Sequence, residues 1–122
     1  MKKILFILFF IATPEVFASD VEMNFTKDAF INAQKSGKTV VVNSWNKWCY
    51  TCVKQEKVFK QARDDFKEVV FFSYAQKNKN IADYLNIDYR STIVVYKNNK
   101  EILRAVGITK KEEIYSLIKK GI

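Results

Sequence analysis

The sequence predicts an α/β fold: one mixed central sheet of about four strands with helices on both faces. Three observations carry that expectation. The 122 residues are enough for one hydrophobic core and too few for two. Apolar residues switch between helical spacing and short β-branched runs, in the order helix, strand, helix, strand, helix, strand, strand, helix. The first two strands are separated by a helix, which suits a parallel crossover, while the last two are close enough for an antiparallel hairpin.

Residues 1–18 stand apart. Lys2 and Lys3 precede a nine-residue apolar run, Ile4 to Ala12, followed by Pro14 and Val16-Phe17-Ala18. A basic start, a short apolar middle and a small residue at the cut are the layout of a secretory signal peptide. The alternative is a retained membrane anchor, but the run falls well short of the roughly 20 residues a spanning helix needs. The expected division is a signal peptide at 1–18 and one domain at 19–122.

In the domain, Asn24 or Thr26 caps a helix through about Lys35, with Phe25, Ala29, Phe30 and Ala33 at near-helical spacing. Ser36-Gly37 ends it. Thr39 to Ser44, with Val40, Val41 and Val42, is apolar on both faces, as a central strand covered on both sides requires. Trp45 to Cys52 follows directly. A helix then runs to about Phe66, with Val53, Val58, Phe59 and Ala62 expected inward.

Val69 to Tyr74 reads as a second buried strand, and Asn80 to Leu85 as a short helix with Ile81 and Leu85 on one face. Thr92 to Tyr96 and Glu101 to Val106 form a hairpin around Asn98-Asn99, a pair that tolerates the positive backbone angles of a tight turn. Gly107 breaks the second of these strands. The last helix is expected from a cap at Thr109, with Glu112 completing a capping box, to about Lys119; Ile114, Leu117 and Ile118 face inward.

Composition is that of an ordinary globular chain, 48% hydrophobic and 28% charged, with no repeat or biased tract. Without Lys2, Lys3 and Glu15 the domain carries 19 basic and 12 acidic side chains, a formal charge of +7. The lysines are spread along the chain without a dense run. A solvated surface is therefore the expectation, and a nucleic-acid role is not.

Cys49 and Cys52 are the two cysteines, three positions apart. So short a loop gains little stability from closure, so the spacing points to chemistry. Zinc held in a closed four-ligand shell would need further donors, and the chain has no histidine and no second cysteine pair.

The stretch Val40 to Cys52 (Val-Val-Val-Asn-Ser-Trp-Asn-Lys-Trp-Cys-Tyr-Thr-Cys) resembles the active-site region of thioredoxins, and the hairpin, Gly107 and the last helix resemble their carboxy-terminal half. The likeness covers residues 24 to 120 and implies the thioredoxin fold. The run Cys52-Val-Lys-Gln-Glu56-Lys57 is also similar to the reducing domain at the carboxy-terminal end of the bacterial inner-membrane thiol-disulfide conductor. A working thiolate has to be favoured over a thiol whose ordinary pKa is near 8.5, and a helix amino terminus does this. Cys49, exposed at that terminus, would attack; Cys52, one turn in and less accessible, would resolve the mixed disulfide. Lys47 adds nearby positive charge.

Two positions depart from the family pattern. Where thioredoxins carry a buried aspartate, six residues before Cys49, this chain has Asn43, which hydrogen-bonds but is not a base. Glu56, one helical turn after Cys52, is the candidate to take over as general base; the alternative is a solvated surface glutamate. Where the family has a cis-proline facing the dithiol, this chain has Ser91. A cis bond there would cost about 2.5–4 kcal/mol, so a trans bond is expected. Arg90 and Ser91 should still line the site, together with Trp48, Tyr50 and Thr51 between and beside the cysteines, while Trp45 packs nearby.

The resemblance thus implies a thiol-disulfide oxidoreductase working as a reductant or isomerase without a bound organic cofactor, and the signal-peptide layout of residues 1–18 implies that it is exported, to the periplasm in a bacterium. Its expected partners are protein thiols or disulfides and an upstream redox protein, a membrane-bound one included; the chain is expected to be a monomer. The rival reading is a binding protein that carries copper(I) on the same thiolates. A third is a fold used only as an interaction platform, in which both cysteines are dispensable.

Overall fold

A computed structural model describes residues 24–122, and in it the chain runs α1 (Lys27–Lys35), β1 (Val40–Trp45), α2 (Tyr50–Asp65), β2 (Val70–Ala75), α3 (Lys79–Leu85), β3 (Thr92–Lys97), β4 (Lys100–Val106), α4 (Lys111–Lys120). The expected order of elements is the order found. The signal-peptide division at 1–18 lies outside the described residues. Among those residues, no helix is long and apolar enough to cross a membrane.

The strands form one sheet in the order β2-β1-β3-β4. β1 and β2 are parallel, with Val41 beside Phe71, because α2 carries the chain back across one face. β3 runs antiparallel to β1 and to β4. Asn98 and Asn99, at φ 53° and 61°, turn the hairpin as its sequence requires. Opposite Val95 and Tyr96 the register slips by one residue, leaving a bulge in β4.

Alternation along the strands divides the core in two. Val40, Val42, Phe72, Tyr74, Val94 and Tyr96 pack with Phe30 of α1 and with Ala82 and Leu85 of α3. Val41, Phe71, Ile93 and Val95 face the other way, onto Phe59 and Ala62 of α2 and Ile114 and Ile118 of α4. β1 is thus sealed on both sides. Asn43, two residues beyond Val41, is delivered to the α2 face.

Three local expectations change. Phe25 precedes α1; its N–H donates to the Ser73 carbonyl (3.0 Å), and Thr26 alone is the cap, accepting from Ala29 N–H. Val53 is exposed, because the buried row of α2 is Cys52, Gln55, Phe59 and Ala62, spaced three, four and three residues apart. Thr109 does not cap α4. The N-cap is Lys110, without a side-chain bond, so no capping box forms and Glu112 and Glu113 act only through the helix dipole. Beyond α4, Gly121 abuts Val95 and Thr39, and the Thr39 hydroxyl donates to the Gly121 carbonyl (2.6 Å).

Candidate active site

The site begins where β1 hands over to α2. Trp45 and Asn46 leave the strand, Lys47 and Trp48 make a turn, and Cys49 is the N-cap of α2. Trp48 has φ 63°, a strained angle for a bulky residue, and its side chain stands in solvent at 99% exposure. That turn aims Cys49 inward. Its sulfur accepts from the Cys52 N–H (3.2 Å), the role an oxygen usually plays at a helix cap.

Cys49 and Cys52 are joined in a disulfide with their Cα atoms 5.2 Å apart. Cys49 is 3% exposed and Cys52 7%. The expectation of an exposed Cys49 beside a more sheltered Cys52 is therefore corrected: in the disulfide state both are buried. The cause is the loop before β3, which lays Ser91 over the pair. Its Oγ is 3.3 Å from Cys49 Sγ and 3.1 Å from Cys52 Sγ.

No peptide bond among the described residues is cis, so the bond before Ser91 is trans, and Ser91 adopts φ 62°. Its backbone is fixed on both sides. The N–H donates to the Ser44 carbonyl (2.8 Å), and the carbonyl accepts from Gly107 N–H (3.0 Å) and from Gln55 Nε2 (3.0 Å). Ser44 Oγ accepts from Thr92 N–H and donates to the Tyr89 carbonyl, tying the same loop to the end of β1.

Gln55 is the residue that sequence reading missed. It is fully buried, and its amide is used completely: Oε1 accepts from Asn43 Nδ2 (3.1 Å), and Nε2 donates to the carbonyls of Ser91 and Ile108 (2.9 Å for the latter). The signal was present in the spacing, since Gln55 is three residues after Cys52 and four before Phe59. Its neighbour Glu56 lies a row further round the helix. Glu56 Oε1 pairs with Arg63 Nη2 at 2.8 Å, and both line a cavity of about 10 Å³, the room of one water, with Asn43 and Ser73 on its walls. Contact with Asn43 is thus made by Gln55 directly.

Around the buried disulfide the rim is exposed. Trp48, Tyr50 (74%) and Tyr89 (67%) stand out, with the Lys54 ammonium over the Tyr50 ring. Arg90 is exposed and Thr51 half-buried. Lys47 and Trp45 line a hollow with Asn46, Ala75 and Lys77. Chemically the arrangement offers two sulfurs at a helix amino terminus, one of them already receiving a backbone donor. Such a donor favours the thiolate when the bond is reduced. Among the described residues no three His, Cys, Asp or Glu side chains gather as a metal cluster.

Comparison with known proteins agrees with this geometry. The sequence profile of the Thioredoxin family matches residues 21–120. A thioredoxin of Mycoplasma genitalium is 35% identical over 81 residues, 66% of this chain and 79% of that protein. A thioredoxin of Chlorobaculum thiosulfatiphilum is 30% identical over 89 residues, 71% and 82% of the two chains. In fold, the chain is similar to Trxlp from Edwardsiella tarda, with a TM-score of 0.75 at 23% identity, covering 79% of this chain and 96% of that one.

Proposed function

The chain belongs to the thioredoxin family, and from that premise we infer that Cys49 is the attacking thiolate and Cys52 the resolving thiol of a thiol-disulfide oxidoreductase that reduces or isomerises exported protein disulfides. The observation that carries the division of roles is the Cys52 N–H directed at Cys49 Sγ at the start of α2. That donor and the helix dipole favour the ionised form of Cys49 over that of Cys52.

In the forward cycle the Cys49 thiolate attacks one sulfur of a substrate disulfide. A Cys49–substrate bond forms, the substrate bond breaks, and the second substrate sulfur leaves as a thiolate that takes a proton from water. Cys52 then loses its proton and attacks Cys49 Sγ, closing the disulfide seen here and releasing the first substrate sulfur. Two electrons have passed to the substrate, and an upstream dithiol restores them. Trp48, Tyr50, Thr51 and Arg90 form the rim across which the substrate lies, with Ser91 beneath it against the two sulfurs. Glu56, through the small cavity it shares with Asn43, is the candidate to receive the Cys52 proton. Export rests on the sequence of residues 1–18 and sets the substrate class as protein thiols of the destination compartment; the monomeric state and a membrane-bound upstream partner complete the reading.

The test is the reduction potential of the Cys49–Cys52 pair in graded thiol-disulfide buffers, with Cys52→Ser as a trap. A reductant should titrate near or below about −230 mV, and an oxidant nearer −120 mV. Cys52→Ser should accumulate a Cys49 mixed disulfide with a disulfide-bonded protein, and Cys49→Ser should not. If no reversible disulfide forms while the reduced chain retains copper(I), the two thiolates serve as a carrier and the oxidoreductase reading falls.

A further inference from the structure

The Ser91 hydroxyl has a place in this chemistry that the exchange cycle above does not use. Ser91 is 4% exposed, and its Oγ lies within hydrogen-bond reach of both sulfurs. In the disulfide neither sulfur carries a proton, so the hydroxyl is the donor and the sulfurs are weak acceptors. Reduction changes that balance. The disulfide takes up two electrons from a partner dithiol and one proton, leaving a Cys49 thiolate and a Cys52 thiol.

We propose that Ser91 is a catalytic residue of this site, its hydroxyl donating to the Cys49 sulfur in the ionised, reduced state. A hydrogen bond to an anion is roughly twice as strong as one between neutral groups, so the donor favours the reduced thiolate over the disulfide it also touches. It joins the Cys52 N–H as a second donor to the same atom. The Oγ lone pairs remain free to accept from the Cys52 S–H, 3.1 Å away, which keeps that thiol protonated until Cys49 has reacted.

Preorganisation makes the hydroxyl effective. The Ser91 backbone is held by the Ser44 carbonyl, Gly107 N–H and Gln55 Nε2, so the donor is already aimed when charge develops. The left-handed φ of 62° costs a non-glycine residue about 1–2 kcal/mol. Glycine would adopt it without strain, yet would bring no hydroxyl. A serine here trades backbone ease for a donor at the sulfurs.

The inference rests on the oxidoreductase reading for its consequence, but its test is made on the chain's own thiols and does not need a substrate. Ser91→Ala and Ser91→Gly both delete the hydroxyl, but Ala leaves the backbone strain at φ 62° in place while Gly relieves it. The pH dependence of Cys49 alkylation in the reduced full chain reads the thiolate, and thiol-disulfide buffers read the potential. Both variants should move the Cys49 ionisation to higher pH, its ionisation constant falling about tenfold. Above that ionisation, the equilibrium constant for reduction should fall about tenfold, roughly 30 mV more negative.

An unchanged Cys49 ionisation in both variants overturns the proposal, as does a change confined to one of them, which would trace to the backbone. Should wild type fail to exchange with any protein disulfide, the oxidoreductase reading fails separately, since the ionisation of Cys49 is still measured. Gln55 is left intact in both variants, so the loop retains its anchor.

Discussion

Replacing Gln55 by Met isolates the polar joint between β1, α2 and the Ser91 loop. Met fills nearly the same volume, so no cavity enters the cost. The change removes three hydrogen bonds, from Asn43 Nδ2, to the Ser91 carbonyl and to the Ile108 carbonyl. Their fates differ. The Ser91 carbonyl retains Gly107 N–H, and Ile108 is only half-buried. Asn43 is 7% exposed and loses its acceptor outright.

An orphaned buried polar group costs about 1–3 kcal/mol, and each lost bond whose groups are otherwise satisfied about 0.5–1.5 kcal/mol. The sum for Gln55→Met is therefore about 2–6 kcal/mol, read as a lower urea midpoint of the oxidised chain at unchanged slope. Adding Asn43→Leu removes the orphan, and the double variant should regain about half of the loss. A loss under about 0.5 kcal/mol, or no recovery in the double variant, would refute the assignment of Gln55 as the joint.

Asn43→Asp, which restores the acid of other family members, should destabilise this chain by about 1–3 kcal/mol at neutral pH, because the carboxylate meets the Gln55 Oε1 acceptor. Burial raises that carboxyl's folded pKa, so the folded state binds the extra proton and the deficit should shrink in urea melts at lower pH. Gly121→Ala should cost about 1–3 kcal/mol, since its Cβ would run into Val95 and Thr39. Gly107→Ala meets no atom within 4 Å but must hold φ 77°, so urea unfolding should show about 1 kcal/mol of strain alone. Burial pushes the Tyr74 phenol up to about 12. The folded chain then keeps a proton that the unfolded chain releases near pH 10, so stability should fall from about pH 10 to 12, with tyrosinate absorbance lagging behind that of the unfolded chain.

Strand and helix positions were legible because burial is periodic. Val40 to Val42 could only be a covered central strand, and Asn98-Asn99 only a tight turn. The cysteine pair and its place at the head of a helix were equally plain from Trp48 to Cys52. What escaped was polar and non-local. Gln55 looks like a surface residue until Ser91 and Ile108, 36 and 53 residues later, bring carbonyls to its amide. The burial of Cys49 likewise depends on the Ser91 loop closing over it from another part of the chain. Val53 was misplaced by a single position, because an apolar residue next to Cys52 is a stronger cue than a glutamine two further on.

The bulge in β4 and the entry of the chain beside β2 together decide how copies of this protein meet at high concentration. Neither lateral border of the sheet is left as a bare template for another strand. On one side Asn24 and Phe25 bridge to Ser73 and occupy part of the outer row of β2. On the other, the register slip at Ile102 and the charged Lys100, Glu101 and Arg104 break the flat repeat that a second β4 would have to match. Both features disfavour edge-to-edge pairing of a second copy along the outer strands.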